Sequence, residues 1–418
     1  MLSQAEVDAR LARCAVTADG RDLWPEVPVP AFRAAQAEVG RVTAAALASA
    51  SGPEPLRLPR GVDAHAMGVA ANASGMGALL GWWCETGRLT AEPPVAALLA
   101  HHLDHGRRRA RILRAGLERV IAEFADHGVE TLVLKAGHTA YRYFPEPGTR
   151  PATDVDLLVG PGDAARAADT LRHLGFTLVE TSVVPERSHW RPPSAGPVRS
   201  IEMTHADDPW AVDLHISLDR SLLPGVAIRF GAVVPSAGDV WHGFIRPVRV
   251  LPQPLLLEYL AAHASSHFYS MPLVRLVELV LVARADFGDR TELWRAFGDL
   301  VRRAGTDRFV FPSLDLAERL APGTVDPGVR AGIAAATPAR LRRRVRRLDP
   351  GSAQRLHPYP QGERFIWSAT PLQVLAAALE IAWPEEQGQR VPVRRMLARQ
   401  WGRVRRLLAR IGTGGGAR

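Results

Sequence analysis

The sequence contains very little cysteine and very little lysine. Among its 418 residues, only Cys14 and Cys84 are cysteine and only Lys135 is lysine. Two cysteines without paired spacing exclude a disulfide framework and argue against a zinc site, so we expect reduced, buried thiols. All other basic residues are arginine. A lone lysine in this background predicts that position 135 needs a compact, flexible ammonium group, which a planar guanidinium cannot replace.

Long apolar segments are also missing. No uninterrupted apolar run approaches the roughly 18 residues that a membrane helix needs. The first residues carry charges where a signal peptide has its apolar segment, so we expect a cytoplasmic protein. The composition, 47% hydrophobic and 23% charged, is typical of a globular protein with about two or three domains. It excludes disordered, collagen-like and coiled-coil classes.

Positive charge is concentrated near the C-terminal end. Residues 340–418 contain 17 arginines and five acidic residues, which leaves 35 basic and 38 acidic groups in residues 1–339. Apolar residues at helical spacing predict an amphipathic helix over 393–411. Such a helix could contact an anionic membrane surface, nucleic acid or an acidic peptide, although packing on its own protein is commoner. Because no RNA-binding motif or aromatic platform accompanies the charge, a nucleic acid substrate is disfavoured.

The middle of the chain predicts alternating strands and helices. Helical patterns over 109–128 and 163–174 end at Gly128 and Gly175, which are suitable helix terminators. Residues before about 105 and after about 254 have helical patterns. Strands are predicted at 131–134, 154–159, 176–180, 200–204 and 211–218.

The expected architecture is therefore an α/β (α+β) core with a mixed β-sheet, flanked by helical N- and C-terminal domains. The predicted domains are an N-terminal helical region over 1–105, the core over 106–240, a helical domain over 241–338 and a basic helical tail over 339–418.

The strand pattern DVDLLV contains two carboxylates that could perform chemistry. Asp154 and Asp156 are two residues apart, so they project from the same face of the strand. A divalent cation is the usual remedy for their repulsion, and oxygen ligands favour Mg²⁺. Asp213, on a later predicted strand, could complete a two-metal site for phosphoryl or nucleotidyl transfer. The alternative is an exposed strand whose acidic face meets solvent.

The segment LVLKAGHTAYRYFPEPGTRPATDVDLLVGPGDAARAADTLRHLGF, which starts at residue 132, carries a family resemblance. It resembles the core of the uncharacterised nucleotidyltransferase family within the polymerase β-like nucleotidyltransferase superfamily. Members of that family have a strand ending in Leu-Lys-Gly, an Arg before Asp-x-Asp-Leu-Leu-Val, and a helix ending in Leu-Gly-Phe or Leu-Gly-Tyr. A later Leu-His strand follows, and the VDLH sequence that contains Asp213 matches it.

The resemblance implies a nucleotidyltransferase fold and a Mg²⁺-dependent (or Mn²⁺-dependent) activity. An NTP-type donor would pass a nucleotidyl or other phosphate-activated group to a hydroxyl of a small molecule, sugar or peptide. Asp154, Asp156 and Asp213 would hold the metals, while Lys135 and Arg150 would face the phosphates. The alternative for each of these two cations is a structural ion pair.

One residue departs from the family pattern. Ala136 stands where the family has Gly directly after Lys, so either this alanine is tolerated or Gly137, followed by His138, takes the phosphate-facing role in a shifted loop. His215 shares a strand face with Asp213 and is expected beside the site as a binding or proton-transferring group.

Two rival functions stay open. A non-catalytic nucleotide- or peptide-binding protein could have kept the fold. Gly160, Gly162 and Ala165, with Glu180 on the next strand, imitate the dinucleotide-binding fingerprint of an oxidoreductase. Pro161 has no N–H to offer a pyrophosphate, which weakens that interpretation.

No catalytic role is predicted for the histidines outside the core. Zinc binding by His263 and His267 is disfavoured, and His101, His102 and His105 are expected at the surface.

Overall fold

The computed structural model describes residues 5, 9–10, 27–48, 55–181, 187–193, 208–223, 226–266, 271–352, 363–368, 370–382, 385–386 and 389–390. Four predictions fall outside these residues, namely the buried thiol of Cys14, the strand at 200–204, the amphipathic helix at 393–411 and the position of His267. Across the described ranges, no helix combines the length and the apolarity needed to cross a membrane. Cys84 is half-buried and forms no disulfide, and burial raises the pKa of its thiol to about 11.

The N-terminal part of the structure is helical, as predicted. Its four helices are α1 (Val29–Ala48), α2 (Ala64–Ala73), α3 (Gly77–Glu85) and α4 (Pro93–Asp126). Two short strands, β1 (Leu56–Arg57) and β2 (Leu89–Thr90), pair in parallel. The helix predicted at 109–128 begins much earlier, at Pro93, because proline suits the first turn of a helix and Val95, Leu99 and Leu103 extend the buried stripe.

The central element is a mixed seven-stranded sheet, which confirms the predicted fold class. Its strands are β3 (Thr131–Val133), β4 (Asp154–Val159), β5 (Thr177–Thr181), β6 (Arg187–Arg191), β7 (Ala211–His215), β10 (Asp239–Trp241) and β11 (Val248–Val250). A separate hairpin consists of β8 (Arg220–Leu223) and β9 (Val226–Ile228). The strands of the sheet lie in the order β10-β11-β3-β4-β7-β6-β5. The neighbours β4 and β7 run parallel, whereas β3 and β4 run antiparallel.

Both faces of β4 are covered. Val155, Leu157 and Val159 pack in one hydrophobic cluster with α4 and with α6 (Ala164–His173), and Leu158 packs in a second cluster on the other face. Asp156 shares that second face and is only 3% exposed. Asp156 therefore does not meet solvent, whereas Asp154 at the start of the strand is half-buried, so the exposed-strand alternative is wrong for Asp156.

The C-terminal part is helical, as predicted, apart from two short strands. Its helices share one hydrophobic cluster with helices α1 and α2 from the N-terminal part, so the helical segments before and after the sheet form a common core. The elements are α7 (Leu255–Ser265), α8 (Leu273–Val282), α9 (Thr291–Ala304), α10 (Asp307–Leu320), α11 (Pro327–Ala336), α12 (Ala339–Arg346), α13 (Glu363–Trp367), α14 (Pro371–Ala382), β12 (Glu385–Glu386) and β13 (Gln389–Arg390); α5 (Ala136–Arg142) follows β3.

One close backbone contact joins α4 to the loop before β4. A Cβ built on Gly106 of α4 would lie 2.2 Å from the carbonyl oxygen of Gly148. No side chain fits there without movement of the backbone. The contact therefore fixes the loop that carries Arg150.

We expect Gly106→Ala to destabilise the fold because its methyl group would collide with the Gly148 carbonyl. The expected loss is about 1–3 kcal/mol in the free energy of unfolding, measured by urea denaturation. Gly332→Ala is the matched control, since Gly332 is also helical but has no atom within 4 Å of its built Cβ. It should stabilise the protein by about 0.5–1 kcal/mol. Equal effects of the two substitutions would contradict the contact.

Candidate active site

The candidate site lies on the face shared by β4 and β7. The parallel register places Asp156 opposite Asp213. Because side chains alternate along a strand, Asp154 and His215 project from the same face. Ligand atoms of Asp156, Asp213 and His215 lie within 4.8 Å of one another. The sheet thus brings together the predicted carboxylates and the predicted histidine.

Asp156 is held by two side chains. Its Oδ1 lies 2.5 Å from the Lys135 Nζ and 3.0 Å from the His215 Nε2. Burial alone would raise the pKa of Asp156, but the lysine and the histidine hold that pKa well below its usual range. The His215 imidazole is also buried. Burial lowers its pKa, and this effect is larger than the opposite effect of the neighbouring Asp156 carboxylate. Asp156 is therefore ionised and His215 neutral near pH 7.

Asp213 is held by a different pair, from β6. Arg187 donates to its Oδ2, and the His189 Nδ1 lies 2.7 Å from its Oδ1. Although burial opposes ionisation, the His189 hydrogen bond and the Arg187 charge lower the pKa of Asp213. Arg187 and His189 were not predicted as site residues. Their strand, RSHWR, lacks the apolar alternation of a buried strand because its two inward side chains are those that contact Asp213.

Asp154 differs from the other two carboxylates. Within the described part of the chain it forms no hydrogen bond or ion pair, and it lines a large cavity. Burial raises its pKa to about 7, with further contributions from the charges of Asp156 and Asp213. A carboxylate in this position gains from a cation. The donor set of three carboxylates and one imidazole fits a divalent metal ion.

Lys135 adopts a strained backbone between β3 and α5. Its φ of 45° makes it the one non-glycine residue with positive φ in the described ranges. Such a conformation is costly for a residue with a Cβ and is often kept at functional sites. Although burial opposes the charged form, Asp156 raises the pKa of Lys135, so the ammonium stays charged.

Arg150 also faces the large cavity, and it is paired. Its Nε and Nη2 lie 3.1 Å and 2.9 Å from the two carboxylate oxygens of Glu278 on α8. The Thr139 hydroxyl donates to the same carboxylate. Glu278 had no sequence signal, because it lies in an apolar helical stretch far along the chain. The ion-pair alternative is thus present for both Arg150 and Lys135, while both still line the cavity.

The structure does not bring Gly137 and His138 to the carboxylates. A Cβ on Gly137 would lie 2.7 Å from the Val133 Cγ1, so this glycine permits close packing of α5 on β3. The His138 ring packs edge-on against Tyr143 and Trp241, and neither ring nitrogen forms a hydrogen bond. Burial lowers the pKa of His138 to about 4. Neither residue lines the large cavity, whereas Ala136 does.

The large cavity, with a volume of about 570 Å³, lies between the carboxylates and the N-terminal helices. His65, Asn72, His101, His102 and His105 line its far wall. The prediction of surface positions was wrong for two of these histidines: His105 is buried, and His102 is half-buried with Nε2 3.2 Å from the Gly68 carbonyl. Burial lowers the pKa of His102 to about 4. The N-terminal region, which had no chemical motif, therefore builds half of the site.

A second, small cavity of about 210 Å³ shares Lys135, Arg187, Arg220 and His263 with the large one. His263 stacks on Tyr259, with ring centroids 6.2 Å apart. This contact supports packing and not zinc binding as its role.

The glycine-rich turn that imitates a dinucleotide fingerprint lies elsewhere. It follows Val159, at the opposite end of β4 from Asp154. Neither Gly160 nor Gly162 lines the large cavity. The turn is thus separated from the carboxylates by the length of the strand.

We expect Glu278→Gln to destabilise the protein by about 3 kcal/mol, because it leaves the buried Arg150 guanidinium without a charged partner. Thermal or urea unfolding measures this loss. Asp299→Asn provides the control, since it removes the partner of Arg302 in a solvent-exposed ion pair and should cost less than about 0.5 kcal/mol. An equally small effect at Glu278 would show that the buried pair does not support the fold.

Comparison with known proteins agrees with this geometry. A family model described as an uncharacterised nucleotidyltransferase matches residues 62–322, which include the three aspartates of the site, the side chains that contact them and the far wall of the large cavity. No curated protein and no solved structure matches the chain. The match favours a transferase and supports nucleotidyl transfer in general. Because it covers more than half of the sequence, the chain belongs to the uncharacterised nucleotidyltransferase family.

Proposed function

We propose that the protein is a divalent-metal-dependent nucleotidyltransferase that moves a nucleotidyl group from an NTP to a hydroxyl of a small molecule, sugar or peptide. One observation carries this proposal: Asp154, Asp156 and Lys135 line a cavity large enough for a nucleotide, and Asp213 lies beside Asp156 on the same face of the sheet. Small-molecule sites typically have volumes of about 300–1,000 Å³. We further propose a cytoplasmic location and a tailoring role in biosynthesis.

The carboxylates would hold Mg²⁺ or Mn²⁺. Asp154 supports this assignment because it forms no hydrogen bond or ion pair with any described residue and has a raised pKa beside two other carboxylates. A bound divalent ion would supply charge neutralisation for the phosphates and for the attacking oxygen. His215 would add a nitrogen ligand, which Mn²⁺ accepts more readily than Mg²⁺.

The cations of the site would bind the phosphates. Lys135, Arg150 and Arg187 come from three different parts of the chain and line the same cavity. Donors fixed in place before the reaction stabilise the negative charge that develops during transfer. In the proposed step, the acceptor oxygen bonds to the α-phosphorus and the bond to the β-phosphate oxygen breaks. Pyrophosphate leaves with the electron pair, and the hydroxyl proton passes to Asp213.

A non-catalytic nucleotide-binding protein is the second candidate. Two observations favour it: Ala136 replaces the family glycine at the cavity wall, and Lys135 and Arg187 already neutralise two of the carboxylates. Such a protein would bind nucleotide without releasing pyrophosphate. Its binding would persist when Asp154 and Asp156 are changed.

We expect NTP binding to require Mg²⁺ and to be lost in the Asp154→Asn/Asp156→Asn double variant, since the metal would have lost two ligands. Calorimetric titration of each NTP, with and without Mg²⁺, should show at least a roughly tenfold weaker Kd in the variant. Asp163→Asn/Asp169→Asn is the matched control, because both of these acids are outside the site. Unchanged, metal-independent binding in the site variant would favour the second candidate.

We expect Lys135→Arg to abolish most activity although it keeps the positive charge. A guanidinium cannot occupy the space of an ammonium 2.5 Å from Asp156 without displacing it. Pyrophosphate release in the presence of Mg²⁺ and the preferred NTP should fall by about a hundredfold. A variant with near-normal release would show that the lone lysine is not chosen for its chemistry.

A further inference from the structure

We propose that the small cavity is the acceptor subsite and that it takes a single hydroxyl-bearing ring, such as the pyranose of a sugar. This inference rests on the proposed nucleotidyl transfer. It goes further by assigning each substrate to its own cavity and by naming the chemical class of the acceptor.

The two cavities face different members of the site. Asp154 and Asp156 line the large cavity and are absent from the lining of the small one. His215, two residues from Asp213, lines the small cavity and not the large one. Phosphates held through a metal ion at Asp154 and Asp156 would therefore lie in the large cavity. A group in the small cavity would approach them from the side of Asp213.

The cations at the junction join the two cavities. Lys135 and Arg187 line both, so a phosphate bound beside them would be within reach of a group in either cavity. In-line transfer needs the attacking oxygen and the leaving oxygen on opposite sides of one phosphorus. Two cavities that meet at the same pair of cations would let the donor and the acceptor approach one phosphate from different directions.

The size of the small cavity limits what it can hold. Its volume of about 210 Å³ is less than half that of the large cavity. It falls below the range of roughly 300–1,000 Å³ that is typical of sites for whole ligands. A complete nucleotide therefore belongs in the large cavity, and one ring of the acceptor fits the small one.

The lining of the small cavity combines ring surfaces with hydroxyl groups. Phe230 and Tyr259 pack edge to face with centroids 5.5 Å apart, and His263 is stacked on Tyr259. Ser217 and Ser221 add hydroxyl groups. Ring faces contact the C–H groups of a saturated ring, while hydroxyls and cations bond to its hydroxyl groups. This mixture matches a polyhydroxylated ring better than an apolar group or a long peptide.

The Tyr259 hydroxyl is available to a ligand in the small cavity. The side chain is only 6% exposed and lines that cavity, and within the described residues its hydroxyl forms no hydrogen bond. The oxygen itself is not one of the fully buried polar atoms of the described structure that lack a partner, so it opens to the cavity and can bond to what the cavity holds. Burial raises the pKa of Tyr259, which keeps the hydroxyl protonated and able to donate. A hydroxyl of the bound acceptor is the partner that we assign to it.

Three variants separate the two cavities. Tyr259→Phe removes only the hydroxyl, and Ser221→Trp fills the mouth of the small cavity. Asn72→Trp fills the large cavity from its far wall and serves as the matched control. Thermal unfolding of each variant shows whether it is folded, and the conservative Tyr259→Phe keeps the test valid if a tryptophan variant fails to fold.

Sugar binding is measured first without any donor, by saturation-transfer NMR with methyl glucopyranoside, galactopyranoside and mannopyranoside as probes. We expect binding to the wild type and to Asn72→Trp, none to Ser221→Trp, and about tenfold weaker binding to Tyr259→Phe, the cost of one hydrogen bond. Absence of binding to the wild type, or equal binding to Ser221→Trp, would overturn the inference.

Donor binding and transfer are measured separately, by calorimetry with NTP and Mg²⁺ and by formation of a labelled sugar phosphodiester from α-³²P-labelled NTP. We expect Asn72→Trp to weaken donor binding and Ser221→Trp to lose transfer while keeping its donor Kd within about twofold. Loss of donor binding in Ser221→Trp alone would overturn the assignment of the cavities. Transfer to N-acetyltyrosinamide but to none of the glycosides would overturn the sugar class. If no NTP binds to the wild type while the sugar still does, the proposed function fails and the sugar subsite stands.

Discussion

The parallel pairing of β4 with β7 is the constraint on which the rest of the site depends. This register sets Asp156 beside Asp213 on a buried sheet face, where two carboxylates cannot both ionise without compensation. The compensating groups come from other elements: Lys135 from the turn after β3, and Arg187 and His189 from β6. The sheet order places both sources next to the carboxylates, since β3 borders β4 and β6 borders β7. The strand order therefore supplies the side chains that stabilise the two buried carboxylates.

The three carboxylates are not neutralised equally, and this difference determines what the site can bind. Asp156 and Asp213 each have two partners, whereas Asp154 has none within the described residues and projects into the large cavity. The same cavity is lined by cations from distant parts of the chain. The large cavity is thus lined by both carboxylates and cations, and the charge of Asp154 has no direct partner among the described residues. Such a space suits a ligand that itself combines anions with a metal.

The local parts of this site could be predicted from the sequence, but the distant partners could not. The DVDLLV pattern predicts both the bounds of β4 and the shared face of Asp154 and Asp156, because strand periodicity is a local property. The β6 strand escaped prediction because its inward residues, which contact Asp213, are polar and remove the apolar alternation.

Glu278 illustrates the same limit for the helical part of the chain. It lies 128 residues after Arg150, and its neighbours in α8 are apolar, so nothing local marks it as the partner of a guanidinium. The burial of the His102 and His105 side chains likewise depends on how α4 packs against α2 and α3. Gly137 was predicted to contact phosphates because of its place in a motif, but its lack of a side chain is used for packing against Val133. These roles are determined by contacts between residues far apart in the sequence, whereas a sequence motif carries information only about neighbouring residues.

The length of α4 has a mechanical consequence. The helix continues for 34 residues, about 50 Å, with prolines only at its first turn. Its first half carries His101, His102 and His105 on the cavity wall, and its second half packs Leu117 and Phe124 beneath the sheet. One continuous helix therefore connects the histidine wall of the cavity to the layer beneath the sheet that carries Asp154 and Asp156, and it contains no proline at which it could kink between the two. The position of the histidine wall relative to the carboxylates is thus tied to the packing of this helix under the sheet.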